Sequence, residues 1–239
     1  DSRDVAVTLS QWFGDALPAG SLQGLLVWRA APEGLRLISD DIRLKTAAIT
    51  ISSRLELLFP ADDSSPVIDL KARASASEAP QVLRYLPLRR FPPKVVEWLE
   101  RAVVAGRVPA AEGVFRGPLR EFPFDRDQGV FRISLQLEDG TLDYAPGWPP
   151  VEHLAAEVVF DGVSMYSTRN KARIGNLPVQ DFTVRIPDLR QGILAVSGQQ
   201  HTGLDQVLDF LRATPVAARL GGTLERTTAA GPVDAAIRL

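Results

Sequence analysis

Cysteine is absent from this chain of 239 residues, and histidine occurs only twice. The missing thiols exclude disulfides, thiolate metal sites and cysteine nucleophiles. A histidine-based metal site would need both imidazoles, those of His153 and His201, together with carboxylates. The absence of cysteine also fits an oxidising compartment.

An excess of charge of either sign is missing as well. The 27 Lys and Arg residues and the 29 Asp and Glu residues leave a net charge of -2 at pH 7. The basic residues are scattered rather than clustered, so we predict no nucleic-acid partner. No apolar run approaches the roughly 20 residues of a membrane-spanning helix. The composition, 45% hydrophobic and 23% charged, is typical of a globular protein rather than a disordered one.

Alternating apolar and polar residues dominate the chain, in short segments interrupted by Gly, Pro, Asp and Asn. The clearest segment is VFRISLQLE at 130–138. A period of two is typical of β-strands with one face in water and the other face covered. The sequence therefore predicts a mainly β protein with a few α-helices. The predicted apolar face contains Ile49, Ile51, Leu55, Leu57, Phe131, Ile133, Leu135, Leu137, Phe182, Val184 and Ile186.

Three segments have the spacing of amphipathic helices. Residues 92–105 combine an apolar stripe with an early proline, which is favoured in a first helical turn. Residues 203–212 follow Thr202, which we expect to form a capping box with Asp205. A shorter helix is predicted over residues 79–86.

A weak internal repeat accompanies these helices. The matching segments are QVLRYL at 81–86 with QVLDFL at 206–211, and AGRVPAA at 105–111 with AGPVDAA at 230–236. Both pairs have the same offset of 125 residues. A repeat of strands and a helix is typical of elongated, extendable proteins. We therefore predict two units, 1–112 and 113–239.

Carboxylate pairs occur where Asp favours backbone hydrogen bonds in turns. The pairs are Asp40 with Asp41, Asp62 with Asp63, and Asp125 with Asp127. Nothing in the sequence brings two carboxylates together across a sugar-binding cleft. Neither His153 nor His201 has a Ser or Cys partner in a nucleophile motif, so both are predicted to be surface or hinge residues. We therefore predict that the chain is not an enzyme and uses neither a cofactor nor a metal.

Both ends of the sequence differ from those of a complete chain. The first residues, DSRDVAVTL, lack an initial Met, and residues 233–239 alternate like a β-strand. We expect the chain to be part of a longer protein, with any signal or membrane anchor outside it.

A proline-rich corner, LDYAPGWPPVEHL at 142–154, follows the clearest strand. Such a cluster, taken alone, indicates either a stacking site for a ligand or a rigid turn. Its prolines fix the backbone and lack N–H donors, which suits a bend or a sheet edge. We predict that Tyr144 and Trp148 stabilise a bend between two strands.

Few helices are available to cover the apolar faces of so many strands. An apolar face without a cover is typical of a site for a ligand or a partner. Two alternatives follow. In the first, the face forms an open groove; in the second, helices fill it and the chain is a structural or docking module.

Five motifs in fixed order resemble one known family. They are PPKVVEWLERAVVAGRV, FRGPLREFPF, GVFRISLQLEDGTLDYAPGWPPVEHLAAEVVFDG, IPDL and LDFLRATPV. Together they resemble the periplasmic region of the YhdP proteins, members of the AsmA-like group that also includes TamB. The resemblance covers most of the chain and is strongest over residues 85–215.

The resemblance implies a β-taco, an elongated antiparallel sheet curled into a groove with helices packed at its edge or mouth. Members of the family are implicated in moving phospholipids between the inner and outer membranes of Gram-negative bacteria, and an N-terminal helix anchors them in the inner membrane. For this chain the resemblance implies a periplasmic location, phospholipids as partners and lipid contacts along the apolar face described above. It indicates no particular protein partner.

Overall fold

One antiparallel sheet forms the framework of the protein. The computed structural model describes residues 2–7, 17–83, 93–220 and 222–238. These residues form thirteen strands, four α-helices and two short 3₁₀ helices, Leu119–Glu121 and Leu224–Arg226. The strands are β1 Ser2–Val7, β2 Leu17–Gly24, β3 Val27–Ala31, β4 Gly34–Lys45, β5 Ile49–Pro60, β6 Val67–Ala76, β7 Val103–Pro118, β8 Val130–Leu142, β9 Val151–Asp161, β10 Ser164–Ile174, β11 Leu177–Ile186, β12 Ala195–Gly203 and β13 Pro232–Arg238. The helices are α1 Ala79–Val82, α2 Pro93–Ala102, α3 Leu204–Arg212 and α4 Val216–Arg219. The predicted fold class, mainly β with a few helices, is confirmed.

The order of the strands in the sheet follows their order in the chain, with one exception. Strand β2 pairs with the second half of β4, from Ile42 to Lys45, while β3 pairs with the first half, from Gly34 to Ile38. Strands β1 and β13 lie at opposite ends of the pairing order, so the sheet is open. Such local pairing is what short connections between antiparallel strands produce.

Bulges interrupt the pairing of six strands, β4 and β7 to β11. Each bulge inserts an extra residue into its strand, which bends the strand and increases its twist. In β8 to β11 a residue of the bulge has a positive φ: 50° at Asp139, 52° at His153, 54° at Arg169 and 56° at Asp181. The bulges of β7 to β11 follow one another across neighbouring strands, an arrangement that favours a curled sheet.

The prediction of a turn at Asp40 and Asp41 was wrong. Both residues lie inside β4, at its bulge between Ser39 and Ile42. A bulge leaves one residue out of the regular pairing, so polar residues typical of turns are accommodated there without ending the strand.

Arginine–carboxylate pairs connect neighbouring strands. They are Arg36–Glu56, Arg54–Asp40, Arg73–Glu112, Arg116–Asp69, Arg107–Glu138, Arg132–Asp161, Arg169–Glu157 and Arg173–Glu152. All are partly exposed to solvent, so each contributes only about 0–1 kcal/mol. Their main effects are to favour one strand register and to keep the face of the sheet that carries them hydrophilic.

The helices lie in two connections between paired neighbouring strands. Helices α1 and α2 link β6 to β7, and α3 and α4 link β12 to β13. Ala79 of α1 packs against Ile49, Ala76 and Val108 in a small buried core. The two QVL motifs of the predicted repeat lie in these two connections. The division into units 1–112 and 113–239 stays a prediction.

The helix predicted over 92–105 ends three residues earlier in the structure, at Ala102. Helix α2 stops at Ala102, and β7 begins at Val103, which pairs with Leu142 of β8. Pairing of the β-branched Val103 and Val104 in a sheet outweighs the helical spacing of the segment. Of the helix predicted over 79–86, the last three residues lie outside the described part of the chain.

The predicted cap of α3 also differs in detail. Gly203 is the N-cap, and the Gln206 side chain accepts a hydrogen bond from its N–H at 3.5 Å. The Thr202 hydroxyl donates to the same Gln206 oxygen at 2.5 Å. Gln206 therefore has the role that was predicted for Asp205.

Candidate functional site

The predicted apolar residues lie on one side of the sheet, which we call the inner face. Strand register connects the three predicted segments, although they are far apart in the sequence. One row across the sheet contains Ile51, Ala74, Ala111, Leu135, Val158, Ser167 and Val184. The next row contains Ser53, Ala72, Gly113, Ile133, Phe160, Met165 and Ile186. A third, shorter row contains Leu55, Leu70, Phe115 and Phe131.

None of the residues in these three rows is charged. The alternate positions of the same strands have the opposite character, as Arg73, Glu112 and Arg132 illustrate. Because side chains alternate between the two faces of a strand, the bulges must preserve this separation as well as bend the sheet. The sheet is therefore apolar on its inner face and strongly polar on its outer face.

The inner face is covered on one side and open on the other. Near the helices, Ile49 is 4% exposed, and Val108 and Leu154 are also buried. Away from the helices, Leu35 and Phe59 are 40% and 38% exposed. Of the predicted lining residues only Ile49 is buried, and the others are half-buried. Solvent therefore reaches most of the predicted face.

Four phenylalanine rings form an aromatic cluster on the inner face, at the rim opposite the helices. Phe115 and Phe131 project from β7 and β8, and Phe122 and Phe124 fold over them from the connecting loop. The ring centroids of contacting pairs are 5.3–5.8 Å apart, mostly in edge-to-face geometry. No role was predicted from the sequence for Phe122 and Phe124. The motif FPF in a loop directly beside two apolar strands could have indicated that these rings cover the inner face.

Two further connections hold this loop, residues 119–129, which we call the rim loop. On one side, the Arg120 guanidinium donates to the carbonyl oxygen of Asp63 at 2.6 Å. On the other side, the Asp125 carboxylate pairs with Arg190 of the β11–β12 connection at 3.0 Å. The rim loop therefore bridges strands that are several positions apart in the sheet.

We expect the Asp188 carboxyl group to titrate below its ordinary range. Arg190 donates hydrogen bonds to Asp188, and together with the backbone N–H of Arg190 they lower the pKa of that carboxyl. Since the pKa is lowered in the folded state, the contact is present at neutral pH and is lost as the pH falls through that pKa. NMR titration of the carboxyl carbon measures this pKa, and in Arg190→Gln it should return towards the ordinary value.

Asp62 provides the control for this titration, because hydrogen bonds with Ser64, rather than with an arginine, lower its pKa. Its titration should be the same in the parent and in Arg190→Gln. An unchanged Asp188 titration in the variant would show that Arg190 does not stabilise the carboxylate.

The proline-rich corner contacts two helices at the rim of the sheet opposite the aromatic cluster. The Trp98 indole of α2 donates to the Tyr144 carbonyl oxygen at 3.0 Å. The Trp148 ring lies between Tyr144 and Phe210 of α3, with both centroids at 6.2 Å. Burial raises the pKa of the Tyr144 phenol above its ordinary value. The corner thus connects two strands, as predicted, and in addition contacts α2 and α3.

The two histidines are exposed, and each contacts one aspartate. His153 Nδ1 lies 2.8 Å from Asp139, and His201 Nδ1 lies 2.7 Å from Asp234. Within the ranges that the structure describes, no group of three or more His, Asp or Glu side chains is placed to hold a metal ion. None of the helices in those ranges is both long and apolar enough to cross a membrane.

An open antiparallel sheet with a charged outer face and an uncharged, partly covered inner face defines an amphipathic β-sheet protein. Comparison with known proteins identifies the family to which the chain belongs. The family model described as YhdP protein matches residues 1–239, so the chain belongs to the YhdP family. The predicted family membership is confirmed.

One curated relative is the Intermembrane phospholipid transporter YhdP of Escherichia coli (strain K12). It is 24% identical over 217 residues, which are 91% of this chain and 17% of the relative. The chain therefore spans about a sixth of that relative's length. No solved structure matches the chain.

Proposed function

We propose that this chain is a segment of a bridge-like lipid transfer protein, in which the inner face shields phospholipid acyl chains between the inner and outer membranes. The observation that carries the proposal is the absence of charge from three rows of residues that cross neighbouring strands. The relative's description as an intermembrane phospholipid transporter supports the same function. The proposed location is the periplasm, with the whole protein anchored in the inner membrane and reaching the outer membrane.

The energetic need for such a face is large. Each methylene group that is exposed to water costs about 0.8 kcal/mol. An acyl chain of roughly 16 carbons therefore costs more than about 10 kcal/mol in an aqueous gap. An apolar surface that runs across many strands removes most of this cost without a covalent step. The phospholipid headgroup, which water solvates well, stays at the open side.

The distribution of exposure suits movement better than storage. Leu55, Ile133 and Ile186 are each only half-buried, so the inner face offers shallow contacts along its length. A lipid in one deep pocket would be held there, whereas similar contacts at successive strands allow it to move on. The ten half-buried residues of the predicted apolar face are proposed as lipid contacts on this basis. The eleventh, Ile49, is buried against Ala79 of α1.

Photo-crosslinking tests the proposed lipid contacts. A photoreactive residue at Ile133 or Leu135, in the protein as its cells produce it, should form phospholipid adducts. The same residue at Gln136, which is exposed on the outer face between Leu135 and Leu137, is the matched control and should form none. If no inner-face position forms adducts, the proposed function fails.

The second candidate function is a structural or docking module of the envelope. The burial of Ile49, Val108 and Leu154 near the helices favours it, because that part of the inner face is already filled. This alternative predicts that polar substitutions are tolerated only on the outer face, so Ile133→Asn should lower the free energy of unfolding. The lipid-transfer proposal predicts that Ile133→Asn lowers lipid transfer while the folded protein stays stable.

A further inference from the structure

Two covers of the inner face approach each other along β7. At one end of the strand, Val108 is buried beneath Ala79 of α1. At the other end, Phe115 belongs to the aromatic cluster, which Phe122 and Phe124 complete from above. Between Ala111 and Phe115 the strand spans about 13 Å, at 3.3 Å per residue. The open part of the inner face is therefore narrower at β7 than at strands without a second cover.

Both covers are fixed in place by contacts with other parts of the molecule. The rim loop is held by Arg120 on one side and by the Asp125–Arg190 pair on the other. The Phe124 ring occupies a slot above Gly117, where a Cβ atom would lie 3.0 Å from the ring. Gly117 also has φ +138°, so the backbone itself requires glycine there. The aromatic cover is thus part of the folded framework.

Gly113, midway between the covers, is a glycine for a different reason. Its backbone is outside the left-handed region, and a Cβ atom there would meet nothing closer than Ile133 Cγ1 at 3.7 Å. The fold therefore has room for a Cβ atom at this position. Its neighbour in the same row on β6 is Ala72, which is also small and half-buried. Because Gly113 has no side chain, the space above it on the inner face stays open.

We propose that α1 and Phe115 are the two walls of a constriction above Gly113, and that this constriction is a subsite for the straight alkyl chain of a lipid. This inference rests on the proposed function and specifies where passage is most restricted. The floor and walls present hydrocarbon, so the ligand class is an unbranched acyl chain with its headgroup outside. A Cβ atom at Gly113 makes only ordinary van der Waals contacts, so a larger side chain there is expected to narrow the passage.

Crosslinking on both sides of the constriction tests the inference. A photoreactive residue is placed at Leu55 of β5 or at Ile186 of β11, in the protein as its cells produce it. In the parent protein both positions should form phospholipid adducts. With Gly113→Phe added, the adduct yield on one of the two sides should fall at least about tenfold, a change equivalent to about 1.4 kcal/mol. Val114→Phe, the neighbouring change on the outer face, should leave both yields unchanged.

Three outcomes are distinguishable. Unchanged adduct yields at both positions in Gly113→Phe would overturn the constriction while leaving the proposed function in place. No adducts at Leu55, Ile186 or Ile133 in the parent would overturn the proposed function itself. If Gly113→Phe does not reach the parent's unfolding temperature, Ala72→Leu narrows the same passage from β6 and should give the same one-sided loss.

Discussion

Phe124→Ala is expected to lower the free energy of unfolding by about 3–5 kcal/mol, the range for truncating a buried aromatic ring. The Phe124 side chain is 7% exposed and contacts Phe115 and Phe122, with centroids 5.7 and 5.8 Å apart. Because the Phe124 ring is buried against Phe115 and Phe122, its removal leaves a cavity in the aromatic cluster. The loss thus combines hydrophobic transfer with cavity formation.

The matched control for this variant is Phe59→Ala. Phe59 lies on the same inner face at 38% exposure. Its truncation should cost about 1 kcal/mol, because water already reaches the ring in the folded protein. Urea unfolding, followed by circular dichroism, gives both values from the shift of the midpoint. Equal losses in the two variants would show that the aromatic cluster does not stabilise the rim.

Trp148→Ala should have the second largest effect, a loss of about 2–3 kcal/mol, below the range for a fully buried tryptophan since its ring is half-buried. The ring contacts Phe210 of α3 and Tyr144, whose carbonyl oxygen accepts a hydrogen bond from Trp98 of α2. Its removal therefore weakens the attachment of both helices. We expect α3 to become accessible to protease before the sheet unfolds.

Trp28→Ala is the control for this experiment. The Trp28 side chain is 58% exposed on β3, a strand that packs mainly against β4, so its loss should cost less than about 1 kcal/mol and leave cleavage within α3 unchanged. Limited proteolysis with mass spectrometry identifies the cleavage sites. If α3 is cleaved at the same rate in Trp148→Ala and in the parent, the corner does not hold that helix.

The strands and their faces were predictable because the information is local. In a strand the side chains alternate by geometry, so VFRISLQLE places Ile133 and Leu135 on one face in any β context. The structure then brings Ile51, Leu135 and Val184 into one row. Periodicity cannot supply that row, because it depends on which strands become neighbours.

The errors have a common cause in pairing between strands. Helical spacing continued through Val103, but pairing with Leu142 ended the helix at Ala102. Asp40 had the character of a turn residue, but its strand continued through a bulge. In each case a contact with a distant part of the chain outweighed the local preference.

The sequence by itself determined the fold class, the family and the separation of an apolar from a charged face, since alternation and ordered motifs are properties of short segments. Only the tertiary structure decided how much of the apolar face stays open. That outcome depends on where the connections fold back, with α1 above Val108 and the rim loop above Phe115. Such placements arise from packing between residues that are far apart in the chain, as the Asp125–Arg190 pair illustrates.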